Sequence, residues 1–468
     1  MAGGLTVFIS ASASVHVILT KKNARSAFSW IGIIWLVPVL GAVLYLLFGI
    51  NRIKRKARML RSSVSEVAKS FPLQKALSEE SLPLKAQFKS LSMMIDRIAE
   101  FPLLPGNQII PLEDGDRAYP EMLRAINEAE DTINLSTYIF DNDRVGEAFV
   151  EALHKAQSRG VKIRIIIDDM GTRYSFPPIT RKLKRLGIRY ALFLPTLLPT
   201  RLPFVNLRNH RKIMVVDGRI GFTGGMNIRE GHMLKLNPSN PVRDIHFLVK
   251  GPVVSHMQQV FLEDWYFCTG EVLKGKRWFP EIEPAGRAWA RGIPDGPDED
   301  FEKHLLTIQS AVTVARKSIK IVTPYFLPEE NLITALNLAS LRGVEIDILL
   351  PEKNNIPLIK WASFNILEHL LNDSCRIWLS PPPFDHSKIM IVDDQWVLIG
   401  SGNWDARSFR LNFEFNIECY DETLSKRLSA IVDRKISEAK RVDRDFLTSR
   451  PLTVKIRDGV SFLLSPYL

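Results

Sequence analysis

The chain has 468 residues, more than one hydrophobic core usually organises, so two folded units plus an accessory segment are expected. Hydrophobic residues make up 46% and charged residues 24%, which excludes wholesale disorder and a transporter with many spans. A net charge of +11 asks for an anionic partner, whether nucleic acid, anionic lipid or a phosphorylated substrate, and Cys268, Cys375 and Cys419 are too scattered for a disulfide framework or a zinc site.

From Ser29 to Ile50 the chain is uncharged and matches the roughly 20 residues a transmembrane helix needs. It is read as a transmembrane helix. A cleaved signal peptide fits less well, because the apolar run is long and no small-residue cleavage site follows it. The shorter segment Gly4–Thr20, rich in small residues, is a thin span, a helix packed on the first, or a re-entrant piece. Lys21, Lys22 and Arg25 follow this segment, and Arg52, Lys54, Arg55, Lys56, Arg58 and Arg61 follow the next. This bias places the rest of the chain in the cytoplasm. The second cluster also suits anionic headgroups.

Beyond a polar, basic connector the chain repeats itself. TINLSTYIF, ending at Phe140, corresponds to SIKIVTPYF, ending at Phe326, and each leads through a helical pattern into Arg-Gly-Val and an apolar strand at Arg159 and Arg342. Alternating β and α segments predict an α/β fold with a mixed, largely parallel sheet flanked by helices in each copy, the copies related by a pseudo-twofold axis. The expected layout is an anchor over 1–50, a connector over 51–105, a first domain over 106–273, a linker over 274–286 and a second domain over 287–468.

Each copy carries H-x-K-x-x-x-x-D: His210, Lys212 and Asp217, then His386, Lys388 and Asp393. Seven residues past each Asp comes a Gly, and Asn227 and Asn403 each lie 17 residues past their His. One such motif arises by chance; two in register within a repeat are specific. The paired motifs resemble those of the phospholipase D superfamily. With the two N-terminal apolar segments, NHRKIMVVDGRIGFTGGMNI and GSGNWDARSFRLNFEFNIE, the resemblance extends over essentially the whole chain to the bacterial cardiolipin synthases.

Imidazole is a nucleophile toward phosphorus and a proton carrier near neutral pH, so two histidines facing one phosphodiester split its displacement into two steps. Lys212 and Lys388 would supply positive charge to the phosphoryl oxygens, and Asn227, Asn403 and Ser401 further donors. Gly225 stands where the second copy has Ser401, so one half-site would lack that hydroxyl. Asp217 and Asp393 belong to the motif but are expected to bridge backbone and neighbouring strands. The resemblance implies that Asp244, 34 residues past His210, and Glu414, 28 past His386, orient the imidazoles. It also makes His210 the nucleophile and His386 the general acid, later base.

The implied reaction transfers a phosphatidyl group from one phosphatidylglycerol to another through a phosphohistidine, at the bacterial cytoplasmic membrane, with no metal or cofactor and no nucleic acid partner. A phospholipase D that hydrolyses phospholipids to phosphatidic acid shares all these motifs. A nucleic-acid phosphodiesterase would suit the charge but not the transmembrane segment. His16, His154, His232, His246, His256, His304 and His369 fall outside the repeat and are assigned surface or packing roles, and Tyr138 and Tyr325 at strand ends are assigned to packing. Leu192–Phe204 and the C-terminal VSFLLSPYL are candidate membrane contacts, with a buried loop and a docking tail as their alternatives.

Overall fold

The computed structural model describes residues 2–21, 24–46, 83–195, 207–297 and 302–465. They fall into two compact units, Met1–Met59 and Leu60–Leu468.

In the first unit, α1 (Ala2–Thr20) packs on α2 (Ala24–Leu36), which is followed by α3 (Leu40–Leu44). The stretch Gly3–Thr20 is long and apolar enough to cross a membrane. The expected unbroken transmembrane helix from Ser29 to Ile50 does not form. Pro38 has no N–H, and its ring displaces the carbonyl four residues back. Val39 accordingly takes a φ of 68°, and the chain turns so tightly that a Cβ on Gly41 would lie 2.4 Å from the carbonyl oxygen of Ile33. Residues 47–50 lie outside the described residues. Buried Ser10 and Ser14 let α1 approach its neighbours closely, and Trp35 Nε1 donates to Ser14 Oγ at 3.0 Å.

The second unit opens with α4 (Ala86–Asp96). The expected connector over 51–105 is only partly one: residues 51–82 are outside the described set, but Phe88, Leu91 and Ile95 are buried in the core of the second copy beside Leu305 and Ile308. The first copy then runs β1 (Leu104–Glu113), α5 (Asp114–Glu128), β2 (Thr132–Thr137), α6 (Arg144–Ser158), β3 (Lys162–Asp168), α7 (Ile179–Arg185), β4 (Tyr190–Phe193), β5 (Arg208–Asn209), β6 (Ile213–Val216), β7 (Ile220–Gly224), β8 (Val242–Arg243), β9 (Ile245–Lys250) and α8 (Val254–Thr269). The second runs β10 (Ala288–Asp295), α9 (Lys303–Val314), β11 (Ser318–Val322), α10 (Glu330–Leu341), β12 (Glu345–Pro351), α11 (Pro357–Leu367), β13 (Cys375–Ser380), β14 (Phe384–Asp385), β15 (Ile389–Val392), β16 (Trp396–Gly400), α12 (Ala406–Arg410), β17 (Asn412–Tyr420), α13 (Glu422–Ser437), β18 (Lys440–Val442), α14 (Arg444–Thr448) and α15 (Leu452–Leu463).

Among the described residues sixteen strands make one mixed sheet, its main path ordered β18, β13, β12, β11, β15, β16, β17, β10, β1, β9, β7, β6, β2, β3, β4. The copies are thus fused rather than separate: β1 pairs with β9 of its own copy and also with β10 of the other. Parallel pairing is narrower than expected: apart from the two-residue pairs β5–β17 and β14–β8, it holds between β2, β3 and β4 and between β11, β12 and β13, where helical crossovers join strands of one direction. The hairpins β6–β7 and β15–β16 are antiparallel. Across the join, α8 and α13 bury Val254, Met257 and Val260, and Leu424, Leu428 and Val432, in one core with Ile213, Val249, Ile391 and Ile417. That shared core fixes one copy against the other, which is the requirement for a site built from both.

Candidate active site

The motif aspartates anchor the strands that carry the histidines. Asp217 takes a φ of 51° and accepts the backbone N–H groups of Glu130, Asp131 and Thr132 at 2.9, 2.8 and 2.8 Å. Asp393, with a φ of 53°, accepts those of Arg316, Lys317 and Ser318 at 3.0, 2.7 and 2.9 Å. Each aspartate ties the β6 or β15 hairpin to the start of β2 or β11. Neither lines the cleft described below.

The histidines sit just before those hairpins, and the two copies exchange short strands to place them. β5, ending at Asn209, pairs in parallel with Asn412–Phe413 at the start of β17, while β14, ending at Asp385, pairs with β8. The exchange continues into the backbone of both histidines. His210 N–H donates to Phe413 O at 2.9 Å and His386 N–H donates to Arg243 O at 2.8 Å. The next residues along the accepting strands are Glu414 and Asp244. His210 Nδ1 lies 3.0 Å from both Glu414 carboxylate oxygens, and His386 Nδ1 lies 3.0 Å from Asp244 Oδ2. Each histidine is therefore hydrogen-bonded to a carboxylate of the other copy. An ionised carboxylate accepts from Nδ1–H and leaves Nε2 as the free nitrogen.

The two rings face each other edge to face with centroids 6.4 Å apart. They open on a cleft of about 660 Å³ that is also lined by Asn227, Asn403, Tyr138 and Tyr325. Asn227 Oδ1 accepts the Ile139 N–H at 3.1 Å, so its Nδ2 remains as a donor. Lys212 and Lys388 lie beneath the cleft surface. Their Nζ atoms donate to the carbonyl oxygens of His210 and His386 at 2.7 and 2.6 Å.

Burial dominates the electrostatics. It lowers the Lys212 pKa to about 7 and that of Lys388 to about 8. Burial, with the two lysines adding to it, brings His210 down to about 4 and His386 well below its ordinary value, so both imidazoles are neutral near pH 7. The two carboxylates differ. Burial raises Asp244 to about 6. Glu414, equally buried, is nonetheless held below its ordinary value by His210, Lys212 and the Ser401 hydroxyl.

Ser401 is fully buried, and its Oγ donates to Glu414 Oε2 at 2.5 Å instead of facing the cleft. Its assignment as a phosphate ligand is therefore corrected: it is a support for Glu414, together with Ser408 Oγ at 3.0 Å and Asn412 Nδ2 at 3.1 Å. Gly225 has its own reason. A Cβ there would lie 2.4 Å from Asp244 Oδ2, so the carboxylate fills the space that a serine would need.

Several cleft residues were assigned elsewhere or missed from sequence. Tyr138 and Tyr325, expected to be packing residues, line the cleft with ring centroids 5.4 Å from His210 and 6.2 Å from His386. His232, outside the repeat, is buried at the cleft wall with Nδ1 3.3 Å from Val242 O. Arg208, Arg229 and Arg407 add cations. Arg229 and Arg407 follow Asn227 and Asn403 by two and four residues, and that proximity to the repeated Asn was a usable signal. The expected membrane contact over Leu192–Phe204 lies largely outside the described residues, which exclude 196–206.

A two-copy sheet with a crossed pair of histidine–carboxylate dyads at its join defines a protein of the phospholipase D-like class. A family model described as "Cardiolipin synthase, PLD-like domain" matches residues 122–265 and 308–436, and one described as "Phospholipase_D-nuclease N-terminal" matches 8–49. The chain belongs to the cardiolipin synthase family of phospholipase D-like proteins. It is 32% identical to a cardiolipin synthase of Geobacillus sp. (strain WCH70), over all of this chain and 94% of that one. It is 30% identical to the major cardiolipin synthase ClsA of Bacillus subtilis (strain 168), over 96% and 95%. The crystal structure of phosphatidylserine synthase from Haemophilus influenzae Rd KW20 shares the fold, with a TM-score of 0.62 at 14% identity over 81% of this chain and all of that one.

Proposed function

We propose that the protein makes cardiolipin by transferring a phosphatidyl group between two phosphatidylglycerol molecules. The observation that carries the reading is the pair of imidazoles facing each other across 6.4 Å, each hydrogen-bonded to a carboxylate of the other copy. Full-length relatives that are cardiolipin synthases direct it to this substrate.

His210 is the better nucleophile. Its carboxylate, Glu414, is kept ionised by Ser401, Ser408 and Asn412, which fixes the proton on Nδ1 and the lone pair on Nε2. As the phosphate anion of the first lipid enters, its charge favours uptake of a solvent proton on His386 Nε2; His210 Nε2 then attacks phosphorus, the bond from phosphorus to the glycerol oxygen breaks, and His386 gives that proton to the oxygen. A hydroxyl of the second phosphatidylglycerol then gives its proton to His386 and attacks phosphorus. The bond to Nε2 breaks, and His210 returns to its starting state. Lys212, Lys388, Asn227 and Asn403 stabilise the charge on the phosphoryl oxygens at both stages.

The apolar α1 suits an anchor in the bacterial cytoplasmic membrane, and the basic residues that follow the apolar segments favour a catalytic unit in the cytoplasm. The reading is tested by giving the purified enzyme phosphatidylglycerol vesicles without nucleotide or added metal and analysing products by mass spectrometry. Cardiolipin with an equal amount of glycerol is expected. Phosphatidic acid as the main product would make water the acceptor and the protein a hydrolase.

A further inference from the structure

The C-terminal helix α15 is turned inside out. Its buried positions are polar, Asp458 and Ser461, whereas Leu452, Ile456, Val460 and Leu463 are 72, 57, 57 and 75% exposed. At about 100° per residue these four fall within an arc of about 80° on the outer face, with Lys455 on one side and Arg457 on the other. The orientation is enforced. Asp458 is gripped by Arg450 Nη1 at 2.6 Å and Arg457 Nη2 at 2.7 Å, and the Arg457 guanidinium lies 4.4 Å from the ring centre of Trp361 on α11.

The helix also reaches the cleft. Phe462 packs against a small cluster containing Tyr325 and Ile359, and both of these line the cleft. Ile356, another lining residue, and Leu358 are each 39% exposed at the start of α11, the helix on which α15 rests. A stripe of exposed apolar side chains therefore adjoins the mouth of the active site.

We propose that this outer face of α15, with Ile356 and Leu358, docks on the surface of an anionic lipid bilayer and sets the cleft mouth against the headgroups. An apolar arc flanked by cations matches an interface of acyl chains beneath anionic headgroups. A second copy of the chain suits it less, because the same cationic rim would be brought against itself. The proposal rests on the reading of the protein as an enzyme of membrane phospholipids.

The test uses the full chain reconstituted in phosphatidylglycerol vesicles, with a spin label at Ile456→Cys or, as a control, at Lys155→Cys on exposed α6. Both are made in a Cys268→Ser background, since Cys375 and Cys419 are buried. Cardiolipin formation is measured in the same vesicles. The 456 label is expected to be several-fold more accessible to oxygen and less accessible to a polar nickel complex than the 155 label. A 456 label as open to the nickel complex as the control, in vesicles that make cardiolipin, overturns the docking. Shielding that develops in detergent with rising protein concentration overturns it in favour of contact between copies. Vesicles that make no cardiolipin count against the enzymatic reading alone, because the label still reports the docking. Ile456→Asp is expected to lower turnover on vesicles about tenfold while leaving turnover on detergent-dispersed lipid unchanged. Equal losses on both would reject the proposal.

Discussion

His210 and Glu414 are separated by 204 residues, yet the Nδ1 of one lies 3.0 Å from both carboxylate oxygens of the other. The contact crosses from the first copy to the second, and His386 with Asp244 returns it. Neither copy alone holds a complete dyad, so the candidate site is built from both halves.

Replacing Glu414 with Gln keeps the shape but removes the charge that fixes the His210 tautomer. Cardiolipin formation should fall by about 10²–10⁴-fold. His210→Ala should abolish it, and adding Glu414→Gln to that variant should cost nothing further, because the pair acts as a unit. Steady-state rates with circular dichroism as a folding control decide this; fully additive losses would show that the two residues act separately.

The covalent intermediate should form on one histidine. Brief reaction with radiolabelled phosphatidylglycerol followed by denaturation and peptide mapping should place the label on His210. Label on His386 instead would reverse the assigned roles.

Lysine pKa values of about 7 and 8 set the alkaline limb. As pH rises through these values in the free enzyme, Lys212 and Lys388 lose their protons and with them the attraction for the phosphate anion. With His210 unprotonated above about 4, kcat/KM should be highest between about pH 4 and 7 and fall as pH rises through 7 and 8. The limb in kcat should lie at higher pH, since bound phosphate favours the protonated lysines. A kcat/KM that is level from pH 7 to 9.5 would contradict this account.

Asp393→Ala leaves the backbone N–H groups of Arg316, Lys317 and Ser318 without their acceptor. Thermal unfolding should show a loss of about 1–3 kcal/mol, while the folded enzyme keeps its KM. A selective rise in KM without loss of stability would instead place Asp393 at the phosphate.

The matched positions 225 and 401 should both be sensitive, for opposite reasons. Ser401→Ala removes a hydroxyl 2.5 Å from Glu414 and should lower kcat about tenfold. Gly225→Ala drives a methyl group into Asp244 and should be at least as damaging. Equal tolerance at both positions would show that neither carboxylate depends on its neighbour there.

Much of this protein was legible because it repeats. Two copies of His, Lys, Asp, Gly and Asn at common offsets pointed to the candidate site, and β-rich runs around helical patterns marked the α/β fold. The local role of Asp217 and Asp393 was readable too, since a turn at the end of a strand has few partners to choose from. Other readings failed where a local pattern was taken alone. An apolar run from Ser29 to Ile50 has the length of a span, but Pro38 and the φ of 68° at Val39 break it. Ser401 has the hydroxyl of a phosphate ligand, but its backbone points it at Glu414.

Composition and spacing along the chain supply the residue types, their pairing by repeat and the presence of two imidazoles and two lysines at matched positions. Which carboxylate meets which histidine, and which arginines and tyrosines share the cleft, is a matter of packing. Those relationships depend on β5 and β14 crossing between copies and on the shared core that joins β1 to β10. Spacing along a chain constrains neighbours within one element, whereas contacts over 142 and 204 residues are set by how the elements pack.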